Sequence, residues 1–86
     1  MAYKFTRHAL EKMNERRISE QTVLDMLNGS KVITLEDNGR ESHQGEITVK
    51  GKVFLLRVIM KPPETIITVY RTSRFNRYLK RGQTND

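Results

Sequence analysis

The segment VFLLRVIMKPPETIITVYRT, residues 53–72, determines the fold more than any other part of the chain. It contains two runs rich in apolar and β-branched residues, 53–60 and 65–72, which flank Pro62-Pro63. The first run is almost continuously apolar, which is typical of a strand in the middle of a sheet. Proline cannot donate to a strand ladder, so the proline pair ends this strand. The segment therefore predicts two neighbouring antiparallel strands.

Alternation along these two strands predicts one buried face and one mixed face. The buried face is expected to hold Phe54, Leu56, Val58, Ile67 and Val69. The mixed face combines Leu55 and Ile59 with four polar residues, Arg57, Thr68, Tyr70 and Thr72. A guanidinium beside a phenol suits a phosphate and a nucleotide base. The same residues are also typical of a water-facing sheet, so both interpretations stay open.

Two helices are predicted before the sheet. Thr6 is expected to cap a helix over 7–17, and Ser19 to cap a second helix that ends at Asn28-Gly29, where glycine tolerates the left-handed conformation. Two further strands, 32–35 and 41–50, then flank Asn38-Gly39, a strong hairpin signal, and a second tight turn contains Gly51.

A short basic helix is predicted over 73–82, at the end of the chain. The expected fold is therefore α+β, with two N-terminal helices packed on a four-stranded antiparallel meander and a short basic C-terminal helix. Residues 1–82 are expected to form a single domain and 83–86 a disordered tail.

Length and composition restrict the possible functions. With 86 residues the chain has room for one small domain, and with no cysteine it has no disulfide, thiolate metal site or cysteine nucleophile. It shows neither a signal peptide nor an apolar run long enough to span a membrane, so a cytoplasmic protein with no membrane partner is expected. His43, beside Gln44 in the polar strand, is expected at the surface. The two histidines give only a weak signal for a metal site, because no third ligand has a recognisable spacing, and no metal ion or cofactor is expected.

The charge is strongly basic and unevenly distributed. Lysine and arginine number 16 against 10 acidic residues, a net charge of +6. Residues 71–86 contribute +4 of this, from Arg71, Arg74, Arg77, Lys80 and Arg81 against Asp86. Such a stretch favours RNA or an acidic protein as a partner, although a solvated basic helix has the same composition.

The first predicted helix carries a polar stripe. His8, Lys12 and Glu15 are spaced to lie on one side, with Arg16 at its margin. A histidine in the first helical turn favours the neutral imidazole, which could act as a general base. Lys12 or Arg16 could hold a phosphate, yet a solvated helix face shows the same pattern.

The sequences TRHALEKMNERRIS at 6–19 and ITVYRTSRFNRYL at 67–79 resemble a widespread family of short bacterial proteins described as a domain of unknown function. That family is similar to RelE/ParE-like and BrnT-like toxins of toxin–antitoxin systems. The resemblance implies a RelE/barnase-like fold, RNA cleavage without a metal ion, and a small acidic or partly disordered partner protein. It implies family positions at His8, Arg16, Tyr70 and Thr72, whereas Lys12 stands where the family usually has arginine.

The first hypothesis is a toxin-like, metal-independent endoribonuclease. Its candidate catalytic residues are His8, Arg16, Arg57, Tyr70 and Thr72, and its candidate RNA-binding residues are Lys12, Arg71, Arg74, Arg77, Lys80 and Arg81. The alternatives are a non-catalytic module that binds nucleic acid or an acidic partner, and a ParE-like inhibitor of a protein target. Since Arg57 and Tyr70 should point away from the helices, His8 can join them only if the first helix projects past a sheet edge or the sheet curls strongly.

Overall fold

The computed structural model describes residues 2–75 of the chain. Its elements are β1 (Lys4–Phe5), α1 (Arg7–Glu15), α2 (Glu20–Asn28), β2 (Val32–Leu35), β3 (Glu41–Val49), β4 (Lys52–Lys61) and β5 (Thr65–Thr72). The predicted α+β class is confirmed. The predicted C-terminal helix, beyond residue 75, and the predicted disordered tail lie outside the described residues.

The sheet has five strands in the order β1-β5-β4-β3-β2. Strands β2 to β5 form the predicted antiparallel meander, whereas β1 pairs in parallel with β5 through Lys4 opposite Thr65 and Phe5 opposite Ile66. The predicted four antiparallel strands are therefore only part of the sheet, which has a fifth, parallel strand and is mixed. A strand of two residues is too short to produce any periodicity in the sequence.

Both predicted helix caps are confirmed. The Thr6 hydroxyl accepts a hydrogen bond from the Ala9 amide at 3.0 Å, and the Ser19 hydroxyl accepts one from the Thr22 amide at 3.1 Å. The second helix does not end in a left-handed residue, because Gly29 has a φ of −102°.

The first helix ends two residues earlier than predicted, in a Schellman motif. The Ile18 amide donates to the Met13 carbonyl at 2.9 Å, and the Arg17 amide donates to the Asn14 carbonyl at 3.2 Å. This closure requires Arg17 to adopt the left-handed conformation, with a φ of 57°. Met13 and Ile18 are both buried, which supplies the apolar contact that usually accompanies this motif.

The hydrophobic core lies between the two helices and one face of the sheet. Its buried members are Ala9, Met13, Ile18, Val23, Met26, Leu27, Leu56, Val58, Met60, Ile66 and Val69. A β-bulge shifts the register of β4 and β5 between Ile59 and Met60. Because the bulge reverses the alternation of β5, Ile66 rather than the predicted Ile67 enters the core.

The middle of β3 is more buried than its polar sequence predicts. His43, expected at the surface, is only 6% exposed. It lies opposite Val58 on the helix-covered face, and its Nε2 is 2.9 Å from Glu41 Oε1. Gly45 lies on the same face under α2, where a Cβ atom would come within 2.7 Å of Met26 Cγ. The close approach of α2 therefore explains both the burial of this segment and its glycine.

Both predicted tight turns of the meander are present. Gly39 has a φ of 81° in the β2–β3 turn. Lys50 and Gly51, with φ values of 51° and 78°, form the two-residue turn between β3 and β4. In the part of the chain that the structure describes, no helix is long and apolar enough to cross a membrane.

Candidate anion-binding cleft

The outer edge of β5 carries the candidate site. Strand β1 pairs only with the start of β5, at Thr65 and Ile66. Beyond this point, side chains from the first helix region bind the edge carbonyls. The Thr6 hydroxyl donates to the Ile67 carbonyl at 3.3 Å, and Arg16 Nη1 donates to the Val69 carbonyl at 2.7 Å. The Arg16 bond brings a guanidinium to the margin where the two faces of the sheet meet.

Arg16 also reaches Tyr70, which belongs to the face opposite the helices. Its guanidinium carbon lies 5.9 Å from the centroid of the Tyr70 ring, within the range of a cation–π contact. Arg16, which extends from the C-terminal cap of α1, thus reaches the mixed face of the sheet past the edge of β5.

Arg57 approaches the same tyrosine from the neighbouring strand. Its guanidinium carbon is 5.4 Å from the ring centroid, and its Nη1 donates a hydrogen bond to the Tyr70 hydroxyl. Its Nε donates to Gln44 Oε1 at 2.9 Å, and its Nη2 is 3.9 Å from Glu36 Oε2. The Arg57 side chain is only 11% exposed. These partners fix the orientation of the guanidinium, and with it the position of the Tyr70 hydroxyl.

Glu36 links this network to the β2–β3 turn. The Ser42 hydroxyl donates to Glu36 Oε2 at 2.8 Å, so the same carboxylate oxygen faces Ser42 and Arg57. Ser42 and Gln44 are both buried, at 0% and 2% exposure. A buried polar network whose members bond one another is rigid, which suits a site that must hold its shape before a ligand arrives.

An open cleft of about 560 Å³ lies beside Tyr70, lined by Glu15, Arg16, Arg17, Tyr70 and Arg71. Three guanidiniums and one carboxylate give this lining a net charge of +2. Arg71 Nη1 donates to the Arg16 carbonyl at 3.3 Å, which offsets the partial negative charge at the end of α1. The positive charge of the cleft therefore comes from arginine side chains and not from the end of the helix. Arginine and tyrosine side chains suit a phosphate and an aromatic base.

Two other sequence-predicted residues, His8 and Lys12, are not part of the lining of this cleft. His8 is exposed in the first turn of α1, and its eight-residue separation from Arg16 corresponds to about 12 Å along the helix axis. Lys12 Nζ contacts Glu15 Oε1 at 3.3 Å on the helix surface. The stripe predicted on the first helix is thus divided, with Arg16 in the cleft and His8 on the solvent-exposed surface.

The predicted residues after β5 contribute little that the structure describes. The Thr72 hydroxyl accepts a hydrogen bond from the Arg74 amide at 3.0 Å and so stabilises the turn that follows the strand. Arg74 itself is exposed. Arg77, Lys80 and Arg81 lie outside the described residues.

Sequence reasoning missed Arg17, Gln44 and Glu36. A signal for Gln44 was present, because a two-residue turn at Lys50-Gly51 fixes the register that places Gln44 opposite Arg57. No comparable signal existed for Arg17, whose position depends on how the first helix ends. Within residues 2–75, no three acidic or histidine side chains come together as a metal site would require.

The fold and the cleft define a class of protein: a small α+β domain with an arginine–tyrosine cleft at one margin of its sheet. The chain belongs to the DUF4258 family, a domain of unknown function, whose sequence pattern matches residues 5–71. The matched range includes every residue that lines the cleft, as well as His8 and Arg57, and it ends just before Thr72. Searches of curated proteins and of solved structures gave no match.

Proposed function

We propose that this protein binds RNA at the arginine–tyrosine cleft and cleaves its backbone without a metal ion. The observation that carries the proposal is the convergence of Arg16 and Arg57 on Tyr70, beside a cleft that also contains Arg17 and Arg71. The resemblance to RelE/ParE-like toxins that the sequence suggested favours the same chemistry.

The proposed reaction is attack of a ribose 2′-hydroxyl on the adjacent phosphorus. Tyr70, as the phenolate, accepts the proton of the 2′-hydroxyl. A bond forms between the 2′-oxygen and phosphorus, the bond from phosphorus to the 5′-oxygen breaks, and water protonates the departing oxygen. Arg57 at the phenol oxygen stabilises the negative charge that Tyr70 must carry before it accepts the proton.

The remaining arginines have an electrostatic role in this proposal. The five-coordinate phosphorus carries additional negative charge on its non-bridging oxygens, and fixed cations stabilise that charge. Arg17 and Arg71 line the cleft beside Tyr70, and in this proposal they contact those oxygens. His8, the general base expected from the sequence, has no part in the proposed reaction, since about 12 Å of helix separates it from Arg16.

Incubation of labelled RNA with the purified protein in EDTA tests this proposal. Tyr70→Phe removes only the hydroxyl, and we expect cleavage to slow by about 10²–10⁴-fold, as for loss of a group that transfers a proton. His8→Ala is the matched control and should cleave at the wild-type rate. Equal rates for the wild type and Tyr70→Phe would refute the role of Tyr70, and loss of cleavage in His8→Ala would return that role to the histidine.

A non-catalytic RNA-binding module is the second candidate function. It is favoured by the network that holds Arg57 and Tyr70 through Gln44 and Glu36, because such a network also suits a rigid binding surface. RNA that binds with a strong salt dependence and stays intact in EDTA would support this candidate over cleavage. An acidic protein partner would compete with RNA for the same arginines.

A further inference from the structure

The opposite margin of the sheet, at β2, has a different chemical character. Strand β2 is last in the strand order and pairs only with β3 in the described part of the chain. Ile33 lies opposite His43, whose other neighbour is Val58 of the core, so Ile33 and Leu35 belong to the helix-covered face. Helix α2 packs mainly over β3 and β4. As a result Ile33 is 52% exposed and Leu35 is 74% exposed.

The backbone of β2 also has groups that face outwards. The Glu36 amide donates to the Arg40 carbonyl at 2.7 Å, which extends the antiparallel ladder with β3 by one pair. In such a ladder only alternate residues point their amide and carbonyl groups at the partner strand. Val32 and Thr34 therefore share the direction of Glu36, and the backbone groups of Ile33 and Leu35 point to the free margin.

We propose that a second copy of this chain adds to the free margin of β2 in antiparallel orientation, which makes a two-fold symmetric dimer with a continuous sheet. With Thr34 on the two-fold axis, Ile33 of each copy lies opposite Leu35 of the other. About four hydrogen bonds then form between the outward backbone groups of these residues. The four apolar side chains meet on the helix side of the sheet, in the part of that face that α2 does not cover.

Charge complementarity favours this register and this occupant. The same pairing places Lys31, whose ammonium also donates to the Leu27 carbonyl of its own chain at 2.7 Å, opposite Asp37 of the other copy. The register centred on Ile33 would instead place Lys31 against Leu35, an unfavourable pair. The β2 margin carries Glu36, Asp37, Glu41 and Glu46 against Lys31 and Arg40, so the two like margins repel, and the two Lys31–Asp37 pairs offset part of that repulsion. The positive charge of the cleft lies at the opposite margin of each copy, so it adds little to the repulsion between the copies.

The dimer is expected to be weak. A four-residue strand cannot bury the roughly 1,600 Å² of a standard interface, so a dissociation constant in the micromolar range or above is expected. Sedimentation velocity from about 10 µM to about 1 mM covers this range. The mass should rise from 10.1 kDa towards twice that value with concentration.

Leu35→Lys tests the interface, because a side chain that is 74% exposed can be replaced without unfolding the monomer. We expect it to weaken dimerisation by at least about tenfold, the equivalent of 1.4 kcal/mol. The matched control is Val53→Lys, which places the same charge at a 45% exposed residue of β4 and should dimerise like the wild type.

A charge exchange tests the register. Asp37→Lys alone should weaken the dimer, and the double variant with Lys31→Asp, which also gives up the bond to the Leu27 carbonyl, should restore it. Circular dichroism of each variant reports whether the monomer is folded. A wild-type protein that stays at 10.1 kDa up to about 1 mM would overturn the proposal and would leave the margin to a strand from a different protein. A dimer that is insensitive to Leu35→Lys would overturn it equally.

Discussion

Replacement of Arg17 by glycine is expected to stabilise the protein and to weaken its binding to RNA. Arg17 ends the first helix with a φ of 57°, a conformation that glycine adopts without steric cost. Its exposed side chain makes no hydrogen bond or ion pair within residues 2–75, so its removal costs the described part of the fold no polar contact. The same side chain lines the cleft.

The size of the effect follows from two opposing contributions. The left-handed conformation costs an ordinary residue about 1–2 kcal/mol. Glycine loses more backbone freedom on folding, which costs about 0.5–1 kcal/mol. The net gain in the free energy of unfolding is then about 0.5–1 kcal/mol. For a domain of this size, that corresponds to a rise of about 2–8 °C in Tm.

Thermal and urea unfolding of three proteins isolate the backbone contribution: the wild type, Arg17→Gly and Arg17→Ala. The alanine variant loses the same side chain but keeps the left-handed strain, so it should be no more stable than the wild type. Both variants should bind RNA more weakly, and the salt dependence of binding should fall by the contribution of about one phosphate contact. If Arg17→Gly were no more stable than Arg17→Ala, the assignment of strain to this residue would be refuted. Wild-type RNA binding by both variants would remove Arg17 from the site.

Three further results are expected. Gly45→Ala should destabilise the protein by about 1–3 kcal/mol in urea unfolding, because the added methyl group collides with Met26, and a milder effect in the Met26→Ala background would confirm that contact. Thr6→Ala should cost about 1–2 kcal/mol in the same assay, since it removes both a helix cap and a bond to β5, whereas Thr6→Ser should restore most of the loss. Arg71→Gln should weaken RNA binding and lower the slope of log K against log salt by about 0.7–0.9, while Lys61→Gln, far along the sheet from the cleft, should leave the slope unchanged.

Much of the fold could be predicted from local signals in the sequence. The caps Thr6 and Ser19, the Asn38-Gly39 turn and the apolar run of β4 each act within a few residues, and each is present in the structure. Strand β1 could not be predicted, because two residues have no period. The bulge in β5 also left no signal in the sequence. Because of it, Ile66 lies in the core instead of the predicted Ile67.

The candidate site was predicted only in part, for a geometric reason. Arg57 and Tyr70 were placed together by strand alternation, which is a short-range rule. The contact of Arg16 with Tyr70 depends on the angle at which α1 crosses the sheet, and that angle is set by the whole core. Helical spacing alone made His8 and Arg16 equivalent, although only Arg16 extends past the edge of β5.

The side chains that reach β5 from the first helix region also determine how large an assembly the sheet can form. The carbonyls of Glu64, Ile66, Ile67 and Val69 along this margin already accept hydrogen bonds from Lys4, Thr6 and Arg16. An incoming strand would have to displace these bonds to pair with β5, and β1 offers only two residues, so in the described part of the chain β2 is the longer free margin. Association through β2 therefore closes after two copies and does not propagate into a fibre. Each pair would carry its two clefts at opposite ends, so that one RNA molecule of sufficient length could occupy both.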